Sequence, residues 1–191
     1  IYMWRNHHAG SFLTDIAAAF CTKVFCTSKF SYTAKYKKTV LMPVGVDTDL
    51  FVKIPEIKKV PRSILFLARI APVKKPHILI EALKILKIKQ IYFTADIYGD
   101  PLDKDREYYE SLQKNVRDGG LSDFVFFHDG IPNEKTVEAY NNHEIFVNLS
   151  SSGMYDKTIF EAMACETLTL STNKNLLGLV PESFIAREDD V

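Results

Sequence analysis

From residue 62 to residue 172 the chain alternates between two kinds of run. SILFLAR, IYFTADIYGD, FVFFHDG, EIFVNLSS and TLTLSTN are short and mostly apolar, with the length of strands. Between them lie PHILIEALKILK, DREYYESLQKNVRDGG, NEKTVEAYNN and TIFEAMACE. These place apolar residues three or four apart, the spacing of a helix with one buried face. The second of them closes on two glycines, as helices often do. Strands separated by helices of about 10–15 residues imply βαβ units. Strands that are apolar on both faces imply a parallel sheet covered on both sides. The pattern predicts a doubly wound α/β domain over residues 62–191.

The first part of the chain has a different rhythm. Ser11 to Phe20 reads as a helix, Lys23 to Ser28 as a short strand, SKFSYTAKY as a serine-capped helix and TVLMPVG as a strand. FVKIPEIKKVPR carries two prolines and four basic residues and reads as a linker, over residues 51–61. Arg5, His7 and His8 read as a surface tail.

Composition narrows the partners. Apolar residues make up 47% of 191 and charged residues 25%, enough apolar content to bury a core. Acids and bases balance at 24 each, so no field of one sign points to nucleic acid or an anionic membrane. The three cysteines have no metal-ligand spacing and read as reduced thiols. The most apolar helical stretch, around Phe12 to Cys26, is interrupted by Asp15 and Lys23 and falls short of the roughly 20 apolar residues a membrane span needs. No leader pattern is visible. The expected location is cytoplasmic, with the inner face of a membrane as the alternative.

A doubly wound sheet binds ligands outside the carboxyl ends of its strands, where strand order reverses. Three loops qualify. ARIAPVKKP holds Arg69 and Lys74, a fixed fork of donors and a mobile point charge that together suit a diphosphate. Taken alone, Lys74 and Lys75 read rather as solvated loop charges, and no glycine-rich phosphate motif is present. IYGDPLDKDRE offers Asp100, Asp103 and Asp105, but without calcium-loop spacing. Acids at a helix start explain them better. NLSSSGMYDKTIFEAMA passes from a strand into a helix through Ser150, Ser151, Ser152 and Gly153, small enough for a ligand to approach the backbone. Glu161 then stands among apolar neighbours. Its carboxylate could hold a ribose diol, which offers two adjacent donors. It could equally pair with a base across a helix packing, or lie exposed.

These residues resemble a known family. PVGVDTDLF is similar to the interdomain crossing of GT-B retaining glycosyltransferases, usually P-N-G-V-D followed by F. LARIAPVKKPHILIEAL resembles the first strand and loop of their C-terminal domain. VNLSSSGMYDKTIFEAMAC resembles their donor segment, which carries two glutamates eight residues apart. The resemblance implies a Rossmann-like C-terminal half of a GT-B fold, preceded by a remnant of the N-terminal domain over residues 1–50. It implies retaining transfer from a nucleoside-diphosphate sugar to an acceptor hydroxyl on an undefined saccharide, lipid or protein. Arg69 and Lys74 would hold the leaving diphosphate as the catalytic pair, with no cofactor and no metal. Glu161 would hold the ribose. Gly153, Met154, Tyr155, Asp156, Lys157 and Thr158 would complete the donor site. The rest of the N-terminal domain would have to be supplied for full activity, so this chain alone should turn over weakly or not at all.

The departures define the alternatives. Gly153 stands where the first glutamate usually falls. Asp156 either replaces that glutamate or caps the helix that starts at Lys157, and the cap is the expectation. Ala68 and Lys75 stand in for glycines, and Lys75 is expected to add charge near the phosphates. Asp47-Thr48-Asp49 looks like a D-x-D metal motif but lies in the crossing segment. The rival function is a non-catalytic nucleotide-binding or interaction module on the same fold. An epimerase would need acid/base groups that no motif places, and a phosphorylase a pyridoxal lysine without a context here.

Overall fold

The computed structural model describes residues 1–151 and 153–187. Two parallel sheets organise them. The smaller has three strands, β1 (Tyr2–Trp4), β2 (Lys23–Cys26) and β3 (Thr39–Leu41), in the order β1-β2-β3, with helix α1 (Phe12–Ala19) after β1. Ser11 sits at the helix N-cap, and its N–H donates to Thr14 Oγ1 at 3.2 Å. The segment read as a second, serine-capped helix forms only a 3₁₀ turn, Tyr32–Lys35. Its hydroxyls are taken elsewhere: Ser31 and Thr33 donate to the carbonyl of Arg5, and Tyr32 to Asp15 Oδ2. Tertiary partners override a local helical pattern there.

The larger sheet holds β4 (Val60–Leu67), β5 (Thr94–Tyr98), β6 (Val125–His128), β7 (His143–Asn148) and β8 (Leu168–Ser171). All pairings are parallel, in the order β6-β5-β4-β7-β8. Helices α2 (Pro76–Ile88), α3 (Arg106–Asp118), α4 (Thr136–Asn142) and α5 (Lys157–Ala164) follow the strands in turn. Alternate residues of β4 divide the core in two. Ile64 and Phe66 pack with Leu79, Ile80 and Leu83 of α2 and Leu112 and Val116 of α3. Leu65 packs with Tyr140 of α4 and Ile159 and Ala162 of α5. The sheet is covered on both faces, as its apolar strands require.

Two boundaries differ from the sequence reading. β4 begins at Val60, inside the expected linker, and Phe51 at the other end of that segment is buried in the core with α4 and α5. Lys59 fastens the segment further, its Nζ lying 2.9 Å from the carbonyl of His143 and from Thr167 Oγ1. Asp47 is a turn residue: its Oδ1 accepts from the N–H groups of Asp49 and Leu50 at 3.1 and 3.2 Å. That is ordinary Asx-turn chemistry. Among the described residues no helix is long and apolar enough to cross a membrane.

Candidate functional site

Strand order reverses between β4 and β7. From β4 the chain steps outward to β5 and β6, then returns to lay β7 against the other side of β4. The crevice at their carboxyl ends is where such a sheet binds ligands. The loops that meet there are the two that hold the sequence candidates, Ala68–Lys75 after β4 and Leu149–Asp156 after β7.

Arg69 is held by its neighbours. The N–H of Ala68 donates to Tyr98 O at 3.1 Å and that of Ile70 to Asp100 O at 3.1 Å, while Ile70 is fully buried. The backbone is thereby pinned to the end of β5, and the Arg69 side chain is left exposed beside a pocket. Gly99, Pro101, Gly130, Ile131 and Thr158 also line it. Gly99 is required at this place. It adopts φ +145°, and a Cβ on it would lie 1.9 Å from the carbonyl oxygen of Ala68.

Lys74 lies across the crevice. Its Nζ reaches Asp156 Oδ1 at 2.8 Å, Oδ2 at 2.6 Å and Ser150 Oγ at 3.2 Å. Asp156 also accepts from Asn148 Nδ2 at 3.0 Å and from Ser150 Oγ. Burial alone would raise the Asp156 carboxyl. The Lys74 charge and the hydrogen bonds from Lys74, Ser150 and Asn148 outweigh it and hold the group below the usual carboxylate range. Asn148 joins this cluster to the Arg69 pocket, since its Nδ2 also contacts Thr158 Oγ1 at 3.4 Å.

Glu161 lies one turn further along α5 and is 1% exposed. Its Oε1 accepts from Asn133 Nδ2 at 3.2 Å and its Oε2 from Tyr140 OH at 3.2 Å. Lys157 Nζ stands 3.7 Å from Oε1. Burial first, and then the Glu161 charge, push the Tyr140 phenol far above its ordinary value. The surface-exposure alternative is excluded. The nearby base lies on the same helix, one turn back, and the direct donors are an amide and a phenol from the α4 region. Three of the roughly four lone-pair sites of a carboxylate are the most these groups can use.

The sequence profile of the family described as glycosyl transferases group 1 matches residues 47–182, most of the chain. The chain belongs to that family.

Individual relatives agree. The GtfA subunit of a UDP-N-acetylglucosamine–peptide N-acetylglucosaminyltransferase from Streptococcus parasanguinis is 28% identical over 168 residues, 84% of this chain and 31% of that protein. A D-inositol 3-phosphate glycosyltransferase from Paenarthrobacter aurescens is 27% identical over 154 residues, 74% of this chain and 36% of that protein. The chain thus spans about a third of the length of the curated relatives it matches. Among solved structures, Anabaena HepE in complex with UDP-glucose superposes with a TM-score of 0.79 at 19% identity, covering 98% of this chain and 58% of that one. The sheet and its helices are the Rossmann-like unit of a GT-B fold.

In this glycosyltransferase domain the segment between β7 and α5 is clamped by loops the sequence reading passed over. Gly153 O accepts from Asn175 Nδ2 at 2.7 Å and from Ser28 Oγ, which ties the two sheets together. Met154 O accepts from Asn173 Nδ2 at 2.9 Å, and Tyr155 OH donates to Asn175 O at 3.1 Å. Gly153 has φ +126°, a conformation that favours glycine. Ser152, expected to help present backbone to the ligand, lies outside the described residues, as do residues 188–191.

One expectation needs correction. Asp156 occupies the N-cap position of α5 but takes no hydrogen bond from a helix N–H, because its oxygens face Lys74. Lys75 takes a left-handed backbone (φ 56°, ψ 37°), which fits the glycine that the family resemblance implies there, and lines an apolar groove with Ile78, Leu79, Leu170 and Arg187. Asn133, Tyr140 and Asn148 were not singled out in the sequence, and Ser150 was noted only for its small size. The one available signal was Asn148, a polar residue ending an apolar strand.

Proposed function

We propose that this chain is the donor-binding part of a retaining glycosyltransferase that uses a nucleoside-diphosphate sugar. The observation that carries this is that Arg69 and Lys74 lie on the loop after β4 at the switch point, that Lys74 bridges to Asp156 at the start of α5, and that the buried carboxylate of Glu161 stands one turn further along that helix. Arg69 makes no side-chain hydrogen bond or ion pair among the described residues and stands ready for an anion. A leaving diphosphate develops charge as the bond from the sugar C1 to its oxygen breaks. Arg69 and Lys74 supply the opposing charge, the electrostatic term that such transfers depend on. The acceptor hydroxyl oxygen bonds to C1 on the face the diphosphate leaves and gives its proton to the departing phosphate oxygen, so configuration is kept. Glu161 takes a ribose hydroxyl on the lone pair that Asn133, Tyr140 and Lys157 leave. The segment from Gly153 to Thr158 lies between these groups and borders the sugar. No cofactor or metal enters this reading.

HepE structures hold UDP, UDP-glucose, or UDP with glucose, which makes a uracil nucleotide the first donor to try. The two curated relatives name different acceptors, a peptide and an inositol phosphate, so the acceptor here is left to experiment. Weak turnover by this chain alone, with the cleft completed by further N-terminal sequence, belongs to the same proposal. So does a cytoplasmic setting.

Titration with UDP, GDP and ADP by ligand-observed NMR tests the reading. One of them should bind, and Arg69→Ala and Glu161→Ala should each weaken it. A folded chain that binds none refutes the donor role and favours an interaction module.

A further inference from the structure

Asp156 gives up a helix cap. It stands at the N-cap of α5 with extended backbone, the place where aspartate normally accepts from the first helix N–H groups. Instead both of its oxygens face one ammonium, Lys74 Nζ, at 2.8 and 2.6 Å. Ser150 Oγ takes the third direction at 3.2 Å. A lysine has three N–H donors, and all three are occupied. The pair is also shielded, with side-chain exposures of 22% for Lys74 and 28% for Asp156. It is therefore unlike the open surface pairs that contribute almost nothing.

The carboxylate has its own supports. Asn148 Nδ2 and Ser150 Oγ both donate to Oδ2, and both belong to the end of β7 and the loop that follows it. Lys74 comes from the other side of the crevice. Asp156 would thus keep its place if Lys74 swung away. A diphosphate arriving beside Arg69 meets a lysine whose charge is already countered and whose donors are all in use.

We propose that Asp156 is a positioning residue that holds Lys74 as a stand-in for the donor's diphosphate, and that the diphosphate must take Lys74 from it in order to bind. The inference rests on the donor reading above. The pair keeps Lys74 extended across the crevice when the site is empty. It weakens the grip on a nucleoside diphosphate, and it re-forms as that product leaves.

The test starts from Asp156→Asn, which keeps the shape of the side chain and removes its charge. UDP, GDP and ADP are titrated calorimetrically into the full chain, and the one that binds is carried to the variants. Asp156→Asn should bind it on the order of tenfold more tightly, the scale of coupling between groups in direct contact. The gain should vanish when Lys74→Gln is already present, because it acts through Lys74. A damaged loop would weaken binding, so tightening separates positioning from a purely structural role. A measurement on the unaltered chain stands beside the variants. The Asp156 carboxyl carbon, followed by NMR, should titrate at higher pH when the nucleotide saturates the site, by the reciprocity of linked equilibria. Unchanged or weaker binding by Asp156→Asn, a gain that survives the loss of Lys74, or an Asp156 titration that nucleotide does not raise would each overturn the proposal while the donor reading stands. Failure of all three nucleotides to bind the unaltered chain would overturn both.

Discussion

Tyr140→Phe tests whether Glu161 is a charged acceptor held in the core. The substitution removes one hydroxyl from a fully buried ring that packs on Phe146 and Phe51. Among the described residues, Tyr140 OH is the sole donor to Glu161 Oε2, at 3.2 Å. Asn133 and Lys157 both address Oε1 and cannot replace it. A hydrogen bond to a charged group contributes about 1.5–3 kcal/mol. For a chain of this size, each kcal/mol moves the melting point by about 2–4 °C. The melting point should therefore fall by roughly 3–12 °C. Tyr108→Phe is the matched control, since its hydroxyl pairs with His77 Nδ1 at 2.6 Å in a part-buried site. Burial lowers the His77 pKa, so that partner is neutral near pH 7 and the control should cost only about 0.5–1.5 kcal/mol. Urea unfolding of both variants, followed by circular dichroism, supplies the comparison. A loss below about 0.5 kcal/mol for Tyr140→Phe, or one no larger than the control's, would refute the reasoning.

Three further outcomes are expected. Arg69→Ala should leave stability within about 0.5 kcal/mol, because the side chain is exposed and has no partner among the described residues. The same change should weaken nucleoside-diphosphate binding roughly ten- to hundredfold, measured by calorimetry. Gly99→Ala should destabilise the chain by about 2 kcal/mol or more in urea unfolding, since the new Cβ meets the Ala68 carbonyl and the backbone keeps φ +145°. Asp96 governs part of the acid limb. Burial would raise its carboxyl, but the hydrogen bonds from His143 and His128 outweigh that and hold it below its ordinary value. A depressed carboxyl adds stability above its unfolded pKa and loses it as pH falls through the folded one. Unfolding free energy should thus drop below about pH 4, and Asp96→Asn should flatten that drop.

The layout of the larger sheet was legible because its strands and helices have different apolar periods, and β4 through β8 fall where those periods change. Tyr2–Trp4 escaped notice because three residues are too few to show a period. The SKFSYTAKY segment was misread because its hydroxyls bond to residues more than twenty positions away. Such long-range partners leave no local trace. The site divides in the same way. Arg69, Lys74 and Glu161 were visible from their loops and from the unusual place of an acid in an apolar helix. The partners of Glu161 come from residues 133 and 140, and no local spacing links them to it. Asp156 shows the limit most clearly. Its local position predicts a helix cap, and only the fold reveals that Lys74, 82 residues earlier, claims both oxygens.

The central claim is that the crevice between β4 and β7 holds a nucleoside diphosphate. A crystal structure of the chain soaked with the nucleotide chosen by titration tests it most directly. The account predicts diphosphate oxygens within hydrogen-bond reach of Arg69 and Lys74, and a ribose hydroxyl on Glu161. A nucleotide seated elsewhere, such as in the apolar groove beside Leu79 and Leu170, would contradict it.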